Sequence, residues 1–289
     1  MNIATDAPTR PALRYYGGKW KLAPWIIGHF PAHKNYVEPC GGAASVLLQK
    51  PRSPLETYND LDQNVVNFFR VLRDQPDELI RKIRLTPWAR AEFEVCRNPD
   101  ESPIESARRF FVSSWMGISN QPHDASTGWR TASYREQCYT THVENYFGMV
   151  ESSDIEAVAR RFVGVQIESR EYQYVVGRYD RHDTLIYFDP PYVSDERSVP
   201  NVYHHEFVDA NHVEAAALLR TCAGYVVVSG YACPLYTDMY EAHGWHRVDK
   251  EAQTNSGGKR IESLWLSPRT WKALRDNYDD LPMFAEGRR

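Results

Sequence analysis

Residues 35–62 read NYVEPCGGAASVLLQKPRSPLETYNDLD, and this stretch decides the fold. A short strand candidate, Asn35–Glu38, runs into a turn of small residues and then an apolar helical segment. Prolines end that segment before a second strand candidate, Leu55–Tyr58, which leads to an acidic turn and a helix near Asn64–Arg73. This order of a strand, a glycine turn, a helix, a second strand and an acidic residue predicts the first part of a doubly wound α/β domain.

The α/β pattern returns in the second half of the chain. A helix is predicted over Asp209–Arg220, directly before one of the strands. The predicted strands there are Val163–Glu168, Thr184–Phe188, Tyr225–Ser229 and Ile261–Leu266, the last being the final strand. The α/β pattern is therefore interrupted and then resumed.

Residues 70–160 differ from both flanks. Apolar positions recur at helical spacing in 79–83 and 104–115, and the polar stretch 117–136 predicts a long loop. An inserted lobe is the simplest account. We predict an α/β domain at 1–69 and 161–289, and an inserted, mostly helical lobe at 70–160.

Composition restricts the class of protein. The net charge of −4 argues against a protein that coats nucleic acid nonspecifically, but it allows a local basic cleft. The start of the chain lacks the pattern of a secretory signal, and no apolar run is long enough to span a bilayer. The odd cysteine count and the absence of Cys-x-x-Cys spacing favour a reducing cytosol, so we expect a cytoplasmic protein. The cysteines are Cys40, Cys96, Cys138, Cys222 and Cys233.

The strongest chemical signal is Asp-Pro-Pro-Tyr at 189–192, directly after a predicted strand. In open α/β sheets, ligands bind beyond the carboxyl ends of strands. Two prolines fix the backbone and remove two N–H donors, which leaves a carboxylate, a carbonyl and an aromatic ring. Asp189 and the Pro190 carbonyl can accept both N–H bonds of an amino group on a planar base, and Tyr192 can stack on that base. The structural alternative is a strand-end turn with an exposed Asp and Tyr.

Three weaker signals accompany this one. The small residues at 38–45 allow a ligand to approach the backbone, although packing alone explains such a turn equally well. Asp60 follows the second strand, where an acidic residue binds ribose hydroxyls or caps a helix. Tyr-Tyr-Gly-Gly-Lys at 15–19 is by itself a tight turn with a solvated lysine.

Together and in this order, the four motifs resemble those of the Dam-like DNA N6-adenine methyltransferases. Tyr-Gly-Gly-Lys is similar to the N-terminal cofactor motif of that family, and Asn-Asp-Leu-Asp at 59–62 is similar to its ribose-binding acidic motif. Glu-Pro-Cys-Gly-Gly-Ala-Ala-Ser resembles its Glu-Pro-Phe-x-Gly-x-Gly motif, and Asp-Pro-Pro-Tyr matches its catalytic motif. Two departures stand out, since Cys40 replaces the usual phenylalanine and Ala44 replaces a second glycine. Because Ala44 keeps the position small, we expect modest effects on cofactor affinity.

The resemblance covers nearly the whole chain, and its implications are specific. It implies a Rossmann-like methyltransferase sheet whose inserted helical lobe recognises the target sequence. The implied reaction transfers a methyl group from S-adenosylmethionine to N6 of a flipped adenine in double-stranded DNA. The implied catalytic residues are Asp189, Pro190, Pro191 and Tyr192. The implied cofactor-binding residues are Tyr15, Lys19, Glu38, Pro39, Cys40, Gly41, Gly42, Asp60, Ser169, Arg170 and Asp189.

DNA contacts are predicted on two grounds. Members of the family can have a basic residue that contacts DNA at the position of Arg14. Arginines and polar residues of the inserted lobe suit phosphate and guanine contacts, although a solvated helix face and a loop would look the same. The predicted DNA-binding residues are Arg14, Arg108, Arg109, Asn120, Arg130 and Arg135. We expect a monomer, because a single adenine is modified at a time.

Other readings of the chemistry stay open at this point. Asp-Pro-Pro-Tyr is compatible with methylation of N4 of cytosine, and a DNA-binding relative without activity would keep the fold. Cytosine C5 chemistry is disfavoured because Cys40 lies on the cofactor turn. A nucleotide-dependent oxidoreductase is disfavoured because the dinucleotide glycine spacing is missing. No metal site is predicted, since His204, His205 and His212 lack a zinc spacing.

Overall fold

A computed structural model describes residues 7–119, 127–131, 142–151, 153–193, 207–253 and 259–279, with the backbone alone for 142, 253, 259 and 277–279. The strands are β1 (Asn35–Glu38), β2 (Leu55–Asn59), β3 (Gln166–Glu168), β4 (Thr184–Phe188), β5 (Tyr225–Gly230), β6 (His246–Gln253) and β7 (Lys259–Leu266). The helices are α1 (Ala23–Ile27), α2 (Ser45–Gln49), α3 (Gln63–Asp74), α4 (Pro76–Arg84), α5 (Arg90–Cys96), α6 (Pro103–Met116), α7 (His142–Glu151), α8 (Asp154–Phe162), α9 (Tyr172–Tyr179), α10 (Asp209–Leu219), α11 (Pro234–Met239) and α12 (Pro268–Asp279). None of the helices in these ranges has the length and apolar character of a membrane span.

The chain forms two compact units. Unit 1 comprises the described residues of Met1–Trp20, Gly42–Gln49 and Asp60–Ser169. Unit 2 comprises those of Lys21–Gly41, Lys50–Asn59 and Arg170–Arg289.

Unit 2 contains a mixed sheet with the strand order β2-β1-β4-β5-β7-β6. The strands β2, β1, β4 and β5 run parallel, and β7 is antiparallel to both β5 and β6. β1 pairs with β2 on one side and with β4 on the other, so the strand order reverses between β1 and β4. This topological switch is the place where doubly wound sheets bind ligands.

The central strands form because their residues are buried on both faces, as parallel strands usually are. All five residues of β4 are buried, and β5 is buried from Val226 onward. One face packs Val37, Ile186 and Val228 against apolar residues of α9, α10 and α11. On the alternate positions, Tyr36 and Tyr187 place their rings 5.9 and 5.8 Å from the ring of Phe30.

Unit 1 is a helical assembly with a stacked aromatic core. α3 packs against α4, α6 and α8. The rings of Phe69 and Phe162 stack with centroids 4.3 Å apart, and those of Phe68 and Phe111 stack at 6.0 Å. Aromatic contacts of this kind stabilise beyond the area that they bury.

Most of the predicted elements are confirmed. The bounds of β1 and β4 agree with the prediction, and β2, β5, β7, α3 and α10 agree to within two residues. One predicted start is wrong: Val163 is the C-cap of α8 and Gly164 has φ +85°, so β3 begins only at Gln166. β6 was not predicted.

The compact units do not follow the predicted domain bounds. α3 belongs to the helical unit, where it packs on α6. The described residues of the predicted lobe include helices α4 to α8, and in the predicted loop an isolated antiparallel bridge joins Gly117 and Trp129. Which region reads DNA stays a prediction.

A buried ion pair between Lys50 and Glu56 packs next to Tyr36 of β1. Lys50 Nζ lies 2.6 Å from Glu56 Oε1, and the two side chains are 2% and 3% exposed. The ammonium also lies 4.5 Å from the centre of the Tyr36 ring, whose hydroxyl donates to Glu38. Because both charges are desolvated, each depends on the other for its stability.

We expect Lys50→Met to lower the free energy of unfolding by about 3–5 kcal/mol, because it leaves the Glu56 carboxylate buried without its cation. Urea denaturation measures the change. Lys34→Met is the matched control, since the Lys34–Asp183 pair is largely exposed and contributes little. Similar losses in the two variants would contradict the importance of the buried pair.

Candidate functional site

The topological switch of unit 2 brings two predicted residues to one edge of the sheet. Glu38 ends β1, and Asp189 follows β4 directly. The register pairs Val37 with Ile186, so Glu38 and Asp189 both lie at the carboxyl ends of neighbouring parallel strands. Glu38 is 2% exposed and accepts a hydrogen bond of 3.3 Å from the Tyr36 hydroxyl.

Asp189 is held by a residue that sequence reasoning missed. The Ser229 hydroxyl, at the end of β5, donates to Asp189 Oδ1 over 3.1 Å. Ser229 Oγ also lies 2.9 Å from the Tyr187 hydroxyl, inside the sheet. A serine at a strand end is too common for its sequence alone to reveal this contact.

Tyr192 is buried rather than exposed. Its hydroxyl donates to Glu262 Oε2 of β7 over 3.0 Å, and its ring lies edge-on to Tyr231 with centroids 4.6 Å apart. Arg260, two residues before Glu262 on the same strand, donates to the Tyr231 hydroxyl over 3.1 Å. Two residues of β7 therefore anchor the two tyrosines beside the Asp-Pro-Pro turn.

Negative charge gathers at this edge. Burial, and then the Asp189 carboxylate, raise the pKa of Tyr187 well above its ordinary value, with Glu38 and Glu262 acting in the same direction. Burial, then Asp189 and then Glu262 also raise the pKa of Tyr192 well above its ordinary value. Both phenols are therefore neutral at physiological pH and serve as hydrogen-bond donors.

Asn59, at the end of β2, joins two predicted cofactor segments of unit 2. Its side-chain amide donates to the carbonyls of Pro39 (2.7 Å) and Arg170 (2.9 Å), and its Oδ1 accepts from the Arg170 N–H (2.8 Å). The Gly41 N–H donates to the Asn59 carbonyl over 2.8 Å. Asn59 is 1% exposed, so it organises the turn rather than contacting solvent.

The remaining predicted cofactor residues of unit 2 differ in exposure. Cys40 is half-buried and packs against the apolar cluster beneath β1 and β4. Arg170 is exposed, and its guanidinium lies 5.8 Å from the centre of the Tyr174 ring.

In unit 1, Asp60 closes the glycine turn. Its carboxylate accepts the N–H of Gly42 over 2.8 Å and the N–H of Asp62 over 2.9 Å, while the Ser169 hydroxyl donates to its carbonyl over 2.9 Å. The helix-cap alternative for Asp60 is wrong, because the cap of α3 is Asp62, whose side chain accepts from the Asn64 N–H. The ribose contact of Asp60 stays a prediction.

The N-terminal turn lies against the same segment of unit 1. The Tyr15 hydroxyl donates to Asp62 Oδ2 over 3.2 Å, and a Cβ on Gly42 would lie 3.3 Å from the Tyr15 ring. Lys19 is 8% exposed and donates to the Gly17 carbonyl over 2.9 Å, so it is not the solvated lysine of the structural alternative. The structure therefore groups Tyr15, Gly42 and Asp60.

Backbone conformation explains why glycine is usual at position 44. Gly42 and Ala44 have φ of +47° and +54°, in the left-handed region that L-residues with a Cβ disfavour. The usual glycine at position 44 therefore has a conformational basis, and alanine is the smallest residue that can replace it.

Two predicted DNA-binding arginines lie near each other in unit 1. Burial, and then the neighbouring Arg130 guanidinium, lower the pKa of Arg14 to about 10. The Arg130 guanidinium donates to the carbonyls of Gly117 (3.2 Å) and Ile118 (2.9 Å), which follow α6. These two bonds hold the Arg130 side chain at the end of that helix. The Trp115 indole donates to the Ala12 carbonyl over 3.2 Å, which ties the segment before Arg14 to the same helix end.

Arg108 and Arg109 have acidic partners within the protein. Arg108 lies 2.6 Å from both Glu92 and Glu105, and Arg109 lies 2.7 Å from Asp100 and 3.1 Å from Glu105. These ion pairs account for both arginines without DNA, so their DNA contact stays a prediction. The predicted contacts at Asn120 and Arg135 lie outside the described residues.

Histidines and cysteines form no further cluster in the ranges that the structure covers. No group of three metal-ligating residues occurs there. His212 is buried and lies 3.1 Å from the Tyr236 hydroxyl, whereas His204 and His205 are not among the described residues. Cys40, Cys96, Cys222 and Cys233 are free thiols, and Cys138 is not described.

Comparison with known families identifies the chain. Residues 15–254 match the model described as D12 class N6 adenine-specific DNA methyltransferase. The chain belongs to this family. It is thus a D12 methyltransferase that acts on N6 of adenine in DNA, and the prediction of adenine rather than cytosine as the target is confirmed.

Two relatives agree with this assignment. The D12 methyltransferase is 23% identical over 290 residues to a type II methyltransferase, M1.LlaDCHI, of Lactococcus lactis subsp. cremoris, covering 88% of this chain and 94% of that protein. It is 32% identical over 77 residues to a DNA adenine methylase of Vibrio cholerae serotype O1, covering 26% of this chain and 27% of that protein. The similarity to the first relative extends over nearly the full length of both chains.

We expect Gly41→Ala to destabilise the turn by about 1–3 kcal/mol, since a Cβ there would lie 2.2 Å from a ring carbon of the buried Tyr58. Urea denaturation measures the loss. Gly177→Ala in α9 is the control, because no atom lies within 4 Å of its Cβ position and alanine favours a helix by about 1 kcal/mol. Equal stability of both variants would contradict close packing at Gly41.

Proposed function

We propose that the methyl donor of this methyltransferase is S-adenosylmethionine, and that the Asp-Pro-Pro-Tyr turn receives the target adenine. The observation that carries the proposal is the negative charge at the carboxyl ends of β1 and β4. Asp189, Glu38 and Glu262 all raise the pKa of the buried Tyr187. A sulfonium cation is attracted to such a region, and low local dielectric strengthens that attraction.

The residues of unit 2 fit this donor chemically. The donor supplies an activated methyl group on positively charged sulfur when it is bound. Glu38 brings a buried carboxylate, and the absence of a side chain at Gly41 lets the turn that follows Glu38 pack closely on the buried Tyr58 ring. Asn59 holds the turn and the Arg170 backbone in fixed positions for binding. In unit 1, we assign cofactor contacts to Tyr15, Lys19, Gly42, Asp60 and Ser169.

The Asp189 carboxylate and the Pro190 carbonyl are proposed to accept the two N–H bonds of the adenine amine. Holding both hydrogens turns the nitrogen lone pair out of conjugation and toward the methyl group. When bound, the donor would supply the methyl group and retain the C–S electrons on sulfur. Asp189 and the Pro190 carbonyl would orient the amine so that its nitrogen lone pair forms the N–C bond, and the amine proton would pass to solvent water. Positioning provides much of the acceleration, and no covalent enzyme intermediate is needed.

Tyr192 is proposed to stack on the adenine after the base leaves the duplex. Flipping costs a few kcal/mol, which stacking and hydrogen bonds offset. The anchoring of its hydroxyl by Glu262 supports this role, since a fixed ring loses little conformational entropy on binding. We propose that the enzyme acts as a monomer.

We expect Asp189→Ala to lower methyl transfer at least about 100-fold, because the amine loses the acceptor that orients it. The assay incubates the protein with labelled S-adenosylmethionine and unmethylated duplex DNA, and identifies the labelled nucleoside. Asp183→Ala is the matched control, since this exposed carboxylate precedes β4 and pairs with Lys34.

Label in N6-methyladenine that the Asp189 variant alone loses supports the proposal. Retention of activity in that variant would remove Asp189 from the mechanism. A donor other than S-adenosylmethionine would be indicated if the wild-type protein neither bound that compound nor transferred label from it.

DNA contact is proposed for Arg14 and Arg130 in unit 1. Two guanidinium groups that are close enough to interact electrostatically attract a phosphate strongly, and both are half-buried, which favours a fixed site. The helices of the predicted lobe at 70–160 are proposed to recognise the target sequence.

We expect Arg14→Gln to weaken binding to any duplex and to reduce the slope of log affinity against log salt by about 1. Fluorescence anisotropy with a labelled mixed-sequence duplex measures both. Arg247→Gln in unit 2, whose guanidinium pairs with Glu241 and Asp249, is the control that should leave the slope unchanged. An unchanged slope for the Arg14 variant would exclude the phosphate contact.

A further inference from the structure

Strand register places Ser229 beside Asp189. β4 and β5 are parallel, and Phe188 pairs with Val228, so the next residue on each strand is Asp189 and Ser229. Tyr187 precedes Asp189 by two positions and therefore projects from the same face of β4. The three polar side chains meet at one point: Tyr187 and Ser229 are 0% and 2% exposed, and the hydroxyl of Ser229 touches both partners.

The hydrogen bonds of Ser229 with Tyr187 and Asp189 share one direction. Asp189 Oδ1 is an acceptor, so the single hydroxyl proton of Ser229 is directed toward it. The oxygen of Ser229 then accepts from Tyr187, whose phenol keeps its proton because burial and nearby carboxylates raise its pKa. The result is a chain of donors, from Tyr187 through Ser229 to Asp189, that ends on the proposed acceptor of the adenine amine.

We propose that Ser229 and Tyr187 are positioning residues for methyl transfer, which fix the plane of the Asp189 carboxylate. This inference rests on the proposed function, in which Asp189 accepts a hydrogen from the adenine amine. A carboxylate on a strand end can rotate about two side-chain torsions, and the hydrogen bond to Oδ1 removes that freedom. Orientation matters here because a displacement of about 1 Å at a reacting group can cost about 100-fold in rate.

The test compares Ser229→Ala and Tyr187→Phe with a serine of the same sheet that has a matching bond. Ser263 of β7 is 1% exposed, and its hydroxyl donates to Asp249 Oδ1 over 2.8 Å. Ser263→Ala therefore removes a serine–carboxylate hydrogen bond on the face of β7 opposite to Glu262, because side chains alternate along a strand. For each full-length variant, kcat and KM for both substrates, direct binding of S-adenosylmethionine and thermal unfolding are measured.

We expect Ser229→Ala to lower kcat by about 10- to 100-fold, while binding of S-adenosylmethionine stays within about twofold. Tyr187→Phe should lower kcat less, because Ser229 can still donate to Asp189. In the Ser229→Ala background, Tyr187→Phe should have almost no further effect on kcat, since both act through one chain. Ser263→Ala should match the loss of thermal stability of Ser229→Ala but keep kcat within about twofold.

The outcomes separate this inference from the proposed function. A kcat of Ser229→Ala equal to that of Ser263→Ala, with wild-type methylation intact, overturns the positioning role alone. Independent losses in the Ser229 and Tyr187 variants also overturn it, because a chain of donors requires coupling. Absence of N6-methyladenine with the wild-type protein contradicts the proposed function and the positioning role together. Should Ser229→Ala unfold, the comparison of Tyr187→Phe with Tyr236→Phe, another buried hydroxyl contact of unit 2, decides the question.

Discussion

The parallel register of β1, β4 and β5 is the constraint on which the site in unit 2 depends. Backbone pairing delivers Glu38, Asp189 and Ser229 to the same sheet edge, so rigid strands rather than loops set their separations. A slip of one residue between β4 and β5 would send one partner to the opposite face, because side chains alternate along a strand. The packed core beneath these strands therefore also fixes the geometry of the chemical groups.

The hydrogen bonds at this edge preserve its negative charge. Glu38 accepts from Tyr36, Asp189 from Ser229 and Glu262 from Tyr192, and each donor is a neutral hydroxyl. Such donors stabilise a carboxylate without cancelling its charge, whereas a lysine or arginine would neutralise it. A net charge of −4 is therefore compatible with the proposed binding of a cationic methyl donor in unit 2 and with the proposed DNA contact of Arg14 in unit 1.

The sequence predicted those elements whose residues carry their own signal. β4 and β5 are short apolar runs that end at turn residues, and β1 ends at the Pro-Cys-Gly-Gly turn, so their bounds followed from these patterns. β6 was not predicted because His246–Gln253 carries charges at several positions. It forms a strand through its pairing with β7. The pairing of Asp189 with Ser229 likewise depends on tertiary contacts between residues 40 positions apart, which no local pattern encodes. Family resemblance marked the Asp-Pro-Pro-Tyr turn, but not the residues that hold it.

The chemistry of methyl transfer explains why some residues belong to recognisable motifs while the residues that hold them in place do not. The proposed methyl donor carries its own leaving group, so the protein needs acceptors, an aromatic surface and accurate placement rather than a nucleophile. Residues on neighbouring strands set this placement. Asn59 of β2 holds Pro39, which follows β1, and Ser229 of β5 holds Asp189, which follows β4. Glu262 of β7 holds Tyr192. In every case the support comes from a different strand than the residue it holds. Since many polar side chains could satisfy such a contact, the supports are free to vary in type so long as the sheet presents them at the right position.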